Sequence, residues 1–254
     1  MLVKDRIVVV TGAASGIGRA LAQRFAAEGA RLVVCSDRNG DGVRAVAQEV
    51  GGIAFTTDVS KEADILHMIE TVEAEQGPID LFCSNAGIGV GGGAEAPDEA
   101  WQRIWDINVM AHVWAARHMV PRMAARGEGY LLNTASAAGL LSQIGSAPYA
   151  VTKHAAVGLA EWLAITHGDK GIRVSVLAPQ AVRTAMTAGN PDGVASVDGM
   201  IEPEAVAEAC VRAIEAEDFL ILPHPEVLEY MRRKTGDYNR WIGGMRKLQR
   251  RYTG

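Results

Sequence analysis

Cysteine is scarce in this chain, which has three, Cys35, Cys83 and Cys210, among 254 residues. An odd and small number of cysteines does not make a disulfide framework. Cys35 and Cys83 fall in apolar runs that are typical of buried strands. Residues 1–6 lead directly into another such run and leave no room for a signal peptide. We therefore expect core thiols in a protein of the reducing cytoplasm.

Long apolar stretches and histidine clusters are also missing. No run of 18 uncharged apolar residues occurs, so a membrane-spanning helix is not expected. The six histidines show no spacing that is typical of a metal site, and His112 and His118, six residues apart, would lie on different faces of a helix. The net charge is −5, which argues against nucleic-acid binding.

Short apolar runs rich in β-branched residues alternate with helical stretches along the first 180 residues. This alternation predicts an α/β protein with a Rossmann-type, doubly wound parallel sheet and helices on both faces. The length suits one such domain, over residues 1–223, followed by an extension over residues 224–254. Seven strands are predicted, near residues 6–11, 31–36, 53–57, 79–83, 129–134, 172–178 and 219–222.

A glycine-rich turn follows the first predicted strand and leads into a predicted helix over residues 19–28. Gly12 would allow the tight turn, Gly16 would let the backbone approach a pyrophosphate, and Gly18 would let the helix pack closely. The amino terminus of the helix would offer free N–H groups to the phosphates. The spacing is G-x-x-x-G-x-G rather than the usual G-x-G-x-x-G, so a turn without a ligand stays an alternative.

Asp37 ends the second predicted strand, about twenty residues after the glycines. A carboxylate at this place can accept hydrogen bonds from both hydroxyls of an adenosine ribose, and it would repel a 2′-phosphate. Arg38 follows directly and favours NADP, whereas Ser15, before Gly16, is not basic. We therefore predict NAD, with NADP as the alternative.

Tyr149 and Lys153 are four residues apart, which places them on one face of a helix. A nearby ammonium favours the phenolate form of a tyrosine, so we expect Lys153 to lower the pKa of Tyr149. A phenol with a lowered pKa can act as general acid or base. The spacing alone also occurs on helices without such a role, with a half-buried tyrosine and a solvated lysine. Ser136 lies thirteen residues upstream of Tyr149.

With these motifs in this order, the chain resembles the short-chain dehydrogenase/reductase family over about its first 185 residues. Residues 11–18 match the family's cofactor loop, and residues 84–87 resemble its Asn-Ala-Gly segment. Asp58 matches the acid that meets the adenine ring, with Val59 beside it. The resemblance implies a nicotinamide dinucleotide bound by Gly12, Ser15, Gly16, Ile17, Gly18, Asp37, Arg38, Asp58, Val59, Asn85, Ala86, Gly87, Tyr149, Lys153, Pro179, Val182 and Thr184.

The catalytic residues implied by the resemblance are Asn108, Ser136, Tyr149 and Lys153. Ser136 would hold the substrate oxygen, Tyr149 would exchange its proton, and Asn108 would hold a water that links Lys153 to solvent. The implied activity is an NAD-dependent interconversion of a secondary alcohol and its ketone. The alternatives are an NADP(H)-dependent ketone or oxoacyl reductase and a non-catalytic NAD(H)-binding regulator on the same fold.

The substrate is less well indicated, and Ser136, Gln143 and Gln180 are the candidate contacts. Gln180 stands where the family usually has glycine after the proline, so its amide either hydrogen-bonds the carboxamide or the substrate, or points away. The segment over residues 185–201, which should form a lid, is short, glycine-rich and barely apolar.

The extension departs from the family pattern, since it carries eight basic and three acidic residues. Trp241, Met245, Leu248 and Tyr252 recur at helical spacing and predict one apolar stripe. Such a helix could pack on its own domain, on a partner subunit or on a membrane surface. Trp241 or Met245 could also complete the substrate pocket. The family resemblance implies a homodimer or homotetramer, formed through helices over residues 101–126 and 147–167.

Overall fold

The computed structural model describes residues 1–189 and 193–252, and within them one seven-stranded parallel sheet. The strand order is β3-β2-β1-β4-β5-β6-β7, which confirms the predicted fold class. The predicted strands agree with the observed ones to within two residues at either end. The strands are β1 (Ile7–Thr11), β2 (Leu32–Asp37), β3 (Ile53–Thr56), β4 (Leu81–Ser84), β5 (Gly129–Thr134), β6 (Ile172–Leu177) and β7 (Leu220–Ile221).

Helices cover both faces of the sheet. One apolar layer joins the sheet to α1, α2 and α8, and the other joins it to α3, α5 and α7. The helices are α1 (Gly16–Ala27), α2 (Gly40–Val50), α3 (Glu62–Gln76), α4 (Asp98–Trp105), α5 (Ala111–Arg126), α6 (Ala138–Leu141), α7 (Ala147–His167), α8 (Pro203–Ala216), α9 (Glu226–Gly236) and α10 (Tyr238–Tyr252).

Strand β1 shows why the sequence forms this sheet. All five of its residues are buried, and Val8 and Val10 face one apolar layer while Ile7 and Val9 face the other. A strand covered on both faces has to be continuously apolar, and burial of each such side chain contributes roughly 1.5–3 kcal/mol. The apolar run therefore specifies a central strand.

The strand order reverses at β1, because β2 and β3 are added on one side of it and β4 to β7 on the other. The connections from the carboxyl ends of β1 and β4 diverge, and such a switch point leaves a crevice beyond the ends of the strands. Thr11, the last residue of β1, accepts hydrogen bonds at its Oγ1 from the backbone N–H groups of Asn85 (2.9 Å) and Ala86 (3.1 Å). These bonds hold the two sides of the crevice together.

Two helix boundaries differ from the prediction. The helix after the glycine turn begins at Gly16 rather than residue 19. The helix predicted over residues 101–126 begins earlier, at Asp98, and contains a π-helical turn, Asp106–Met110, between α4 and α5. A π-helical turn inserts an extra residue and redirects the side chains around it, and such turns are frequent at functional sites.

The extension over residues 224–254 forms α9 and α10 as far as residue 252. Val227 of α9 is fully buried against Ala137 and Leu141, and Trp241 of α10 packs against this cluster. No residue of α10 is fully buried. The division of the chain at residue 223, and a contact of the extension with a partner subunit, stay predictions.

Cysteine and histidine side chains offer neither a reactive thiol nor a metal centre in the described part of the chain. Cys35, Cys83 and Cys210 are buried, and desolvation raises the pKa of the Cys35 thiol to about 11. Residues 1–189 and 193–252 contain no group of three histidine, cysteine or acidic side chains that could hold a metal ion. None of the helices described is long and apolar enough to cross a bilayer.

Candidate active site

A cleft of about 1890 Å³ opens beyond the carboxyl ends of the strands. All the predicted cofactor and substrate residues line it, as do Ser136, Tyr149 and Lys153. Asn108 does not line it and lies buried behind the wall. The structure therefore brings the predicted residues into one site, while their individual roles stay predictions.

The glycine turn forms the floor of the cleft. Gly12 has a left-handed backbone, with φ of +70°, and a Cβ atom on Gly18 would lie 2.1 Å from the Gly12 carbonyl oxygen. Side chains at these positions would therefore force the turn and α1 apart. The Ser15 side chain does not cap α1, so the first N–H groups of the helix are left for another acceptor. This cradle fits the pyrophosphate of a dinucleotide.

Two acids line the end of the cleft beside β2 and β3. The Asp37 carboxylate accepts hydrogen bonds from the backbone N–H groups of Ala14 (3.1 Å) and Asn39 (2.9 Å), which fix it at the edge of the glycine turn. Asp58 accepts from the Ser60 hydroxyl (2.7 Å), and this bond lowers the pKa of Asp58. Both carboxylates keep further acceptor positions for hydroxyl or amine donors.

Asn85 joins the ends of three strands under the middle of the cleft. Its Nδ2 donates to the Thr11 carbonyl oxygen (3.0 Å), and its Oδ1 accepts from the Thr134 hydroxyl (3.1 Å). Thr11 ends β1, Asn85 follows β4, and Thr134 ends β5. The amide therefore braces the cleft floor, as a supporting residue of the sheet would.

Ser136, Tyr149 and Lys153 meet near the end of β5. The Lys153 ammonium donates to the Thr134 carbonyl oxygen (3.0 Å) and lies 5.6 Å from the centre of the Tyr149 ring. The Ser136 hydroxyl donates to the Pro179 carbonyl oxygen (3.3 Å). The predicted triad thus shares one wall of the cleft, with Pro179 facing it.

The pKa values of this pair do not follow the expectation from spacing. Burial raises the pKa of the Tyr149 phenol, and a hydrogen bond with Ser136 offsets this only in part. Burial lowers the pKa of Lys153 to about 8. The predicted lowering of the Tyr149 pKa is therefore wrong for the protein alone, because desolvation of the buried phenol is the largest cause of the shift.

Asn108 sits in the π-helical turn and supports the cleft from behind. Its Oδ1 accepts from the Ile88 N–H (2.9 Å), and its Nδ2 donates to the Ile88 carbonyl oxygen (3.0 Å) and to the Thr152 hydroxyl (3.4 Å). It thereby ties the loop after β4 to α7, beside Lys153. Its part in proton relay stays a prediction.

The Gln180 side chain lines the cleft and is anchored through its amide nitrogen. The Nε2 group donates to Asp198 (3.1 Å), and the other oxygen of Asp198 accepts from the Tyr230 hydroxyl (2.8 Å). The Gln180 Oε1 atom is buried and has no partner among the described residues. A contact of Gln180 with cofactor or substrate stays a prediction, for which Oε1 is the acceptor and the second N–H of Nε2 the remaining donor.

His224 is buried against the same segment. Its Nδ1 accepts from the Gln180 backbone N–H (3.2 Å), so in the neutral ring Nε2 carries the proton and donates to the Ala181 carbonyl oxygen (3.1 Å). Burial lowers the pKa of His224, which favours this neutral form. The imidazole therefore fixes the backbone directly after Pro179.

The cleft also has walls that the motifs did not indicate. The segment predicted to form a lid contributes apolar side chains to the cleft, among them Met186, Val194 and Val197. Trp241 and Met245 line the cleft, as hypothesised from the apolar stripe. Four basic residues also line the cleft, namely Arg233, Arg240, Lys247 and Arg251. Helical periodicity was the only feature of the sequence that could have indicated them.

A family model described as short chain dehydrogenase matches residues 6–194. Epidermal retinol dehydrogenase 2 of Homo sapiens is 34% identical over 239 residues, which are 90% of this chain and 77% of that protein. The 1-deoxy-11-beta-hydroxypentalenate dehydrogenase of Streptomyces exfoliatus is 36% identical over 253 residues, 95% of this chain and 91% of its own length.

A solved structure shares the whole architecture. The short chain dehydrogenase/reductase from Burkholderia phymatum, in complex with NAD, superimposes with a TM-score of 0.86 at 27% identity. The match covers 94% of this chain and 96% of that one. The similarity thus extends beyond the motifs to the fold that carries them.

Proposed function

Because this chain belongs to the short-chain dehydrogenase family, we propose that it is an NAD-dependent oxidoreductase that interconverts a secondary alcohol and its ketone. The observation that carries the proposal is the meeting of Ser136, Tyr149 and Lys153 on one wall of a cleft whose floor is the glycine turn. The two relatives described above are named as dehydrogenases of hydroxylated compounds, which supports this reaction class.

The cofactor is proposed to lie along the cleft from Asp37 to Pro179. Gly12, Gly16 and the free N–H groups of α1 would hold the pyrophosphate. Asp37 would hold the adenosine ribose and Asp58 the adenine, while Lys153 would hold the nicotinamide ribose. When bound, the nicotinamide supplies the hydride acceptor or donor.

The protein's own residues then orient the substrate and move its proton. Ser136 would hydrogen-bond the substrate oxygen and fix its position. Tyr149 would take the alcohol proton in oxidation and return it in reduction. Lys153, held by Thr134, keeps a positive charge beside the phenol, and the cation of oxidised nicotinamide would favour phenolate further.

The Tyr149–Lys153 pair predicts how the rate depends on pH. Since burial lowers the pKa of Lys153 to about 8 and raises that of Tyr149, the first proton leaves the pair near pH 8. The remaining proton can reside on either group, and the form with a phenolate and an ammonium is the base that oxidation needs. We expect kcat/KM for alcohol oxidation to rise with pH and level off above about pH 8, and kcat/KM for ketone reduction to stay level below about pH 8 and to fall above it.

Initial rates in both directions across this range check the expectation. Lys153→Arg is the informative variant, because a guanidinium stays charged and removes the proton loss near pH 8. A pH profile that is flat in the unmodified protein, or unchanged in the variant, would show that this pair does not supply the base.

The position of Asp37 predicts a preference for NAD over NADP. A 2′-phosphate would have to lie beside a fixed carboxylate, and like charges at close range cost several kcal/mol. We expect Asp37→Asn to shift the ratio of kcat/KM values for NADP and NAD toward NADP by roughly ten-fold or more. Arg38→Gln is the matched control and should not improve the use of NADP. A native preference for NADP would contradict the proposal.

The oligomeric state and the cellular location are proposed from exposed apolar residues and from the cysteines. Helix α7 exposes Val151, Trp162 and Ile165, whose exposed fractions are 46%, 56% and 84%. An apolar face of this kind supports a homodimer or homotetramer formed through α7. A cytoplasmic protein is proposed from the three buried, unpaired thiols.

A further inference from the structure

One face of α10 brings positive charge to the cleft. Arg240, Lys247 and Arg251 all line it, and their spacing of seven and four residues places them on one side of the helix. Helix α10 carries five basic residues and no acidic one. The other two, Arg246 and Arg250, do not line the cleft. We call Arg240, Lys247 and Arg251 the basic face.

The basic face is not neutralised by the protein. None of its side chains forms an ion pair with a residue in the described ranges, whereas Arg233 of α9 is paired with Glu229 (3.0 Å). Asp237, between α9 and α10, lines the cleft, and its carboxylate accepts the backbone N–H of Arg240 (2.9 Å). The three cations of the basic face thus have one neighbouring carboxylate on this segment that also lines the cleft, that of Asp237.

The contacts of α10 place the start of this face near the substrate end of the cleft. Trp241, next to Arg240, packs in the cluster of Ala137 and Leu141, which lie one and five residues after Ser136 in the chain. At the opposite end of the cleft, Asp37 is the last residue of β2 and Asp58 follows β3. The positive charge of the basic face therefore begins near Ser136, the residue proposed to hold the substrate oxygen.

Apolar side chains share this part of the cleft. Met186 and Val197 line it from the lid, and Trp241, Met245 and Leu248 line it from α10. The volume of about 1890 Å³ exceeds the roughly 300–1,000 Å³ that small-molecule pockets usually have. It has room for a dinucleotide and for a second molecule with an apolar body.

We propose that the substrate is a secondary alcohol or ketone whose apolar body carries a carboxylate, and that the basic face binds this carboxylate. The proposal rests on the proposed oxidoreductase function and adds the class of its substrate. Guanidinium and ammonium groups without counter-ions are the donors that a carboxylate prefers. In a partly solvated cleft, each is worth a few-fold in affinity.

The test uses matched pairs of probes with the full chain and NAD. Each pair is a hydroxycycloalkane or hydroxyarylalkane carboxylate and its own carboxamide, which has nearly the same shape and no charge. We expect kcat/KM to be about ten-fold or more higher for the carboxylates. Arg240→Gln and Lys247→Gln should each reduce this preference roughly five-fold, through KM more than kcat. Added salt should reduce it too.

Arg246→Gln and Arg250→Gln are the controls, because they remove the same charge from the other side of the helix. Equal effects in controls and test variants would overturn the proposal, since overall charge would then explain them. Weaker binding of NAD in the test variants, with the carboxylate preference unchanged, would overturn it by assigning the basic face to the dinucleotide. Equal turnover of carboxamides and carboxylates would overturn it while the oxidoreductase function stands. No turnover of any pair, with turnover of other secondary alcohols, would overturn the proposal alone, whereas no turnover of any alcohol with NAD or NADP would overturn both.

Discussion

Tyr149→Phe is expected to lower kcat by about 10²- to 10⁴-fold while NAD still binds. The substitution removes one hydroxyl and keeps the ring that packs over Lys153. The loss should be in the chemical step, because the phenol oxygen is the group proposed to exchange the substrate proton. Stopped-flow or steady-state rates, together with NAD titration by fluorescence, measure the two effects separately.

Tyr252→Phe provides the matched control for this variant. Tyr252 is an exposed residue of α10 outside the cleft, so loss of its hydroxyl should leave kcat and NAD affinity unchanged. A Tyr149→Phe variant that turned over within a few-fold of the unmodified protein would contradict the proposed acid/base role. Loss of NAD binding in place of turnover would make the tyrosine a binding residue.

Gly139→Ala is the second substitution with a large expected effect. A Cβ atom on Gly139 would lie 2.4 Å from the Lys153 carbonyl oxygen and 2.7 Å from its carbonyl carbon. Because these are backbone atoms of α7, the helix that carries Tyr149 and Lys153 must move away from α6 and Ser136. We expect kcat/KM to fall about 10²-fold from this displacement. Overpacking should also lower stability by about 1–3 kcal/mol.

Gly158→Ala lies on the same helix and controls for the added methyl group. No atom lies within 4 Å of the Cβ that it would add, so the change should be neutral or should stabilise α7 by up to about 1 kcal/mol. Thermal unfolding and steady-state kinetics of both variants make the comparison. Full activity in a folded Gly139→Ala protein would show that the close contact of α6 and α7 does not position the site.

The parts of the fold that depend on local pattern were predictable. A buried parallel strand requires a continuous apolar run, so β1 is visible in residues 7–11. The glycine turn is visible because Gly12 needs a left-handed backbone and Gly18 tolerates no side chain. Both features are imposed on consecutive residues, which the sequence displays directly.

The features that the sequence did not indicate arise from contacts between distant segments. The π-helical turn at Asp106–Met110 accompanies the pairing of Asn108 with Ile88, twenty residues away. The bonds that link Gln180, Asp198 and Tyr230 join three separate elements. Helical spacing placed Tyr149 beside Lys153 but carried no information on burial, and burial reverses the expected pKa shift of the phenol.

The most direct test of the account is a rate assay of the purified protein with NAD and a panel of secondary alcohols, following the absorbance of NADH. The account predicts NADH formation with at least one class of alcohol, and its loss in Tyr149→Phe. Binding of NAD without NADH formation from any alcohol, and without oxidation of NADH or NADPH by the matching ketones, would contradict it. The protein would then be a dinucleotide-binding regulator on a dehydrogenase fold.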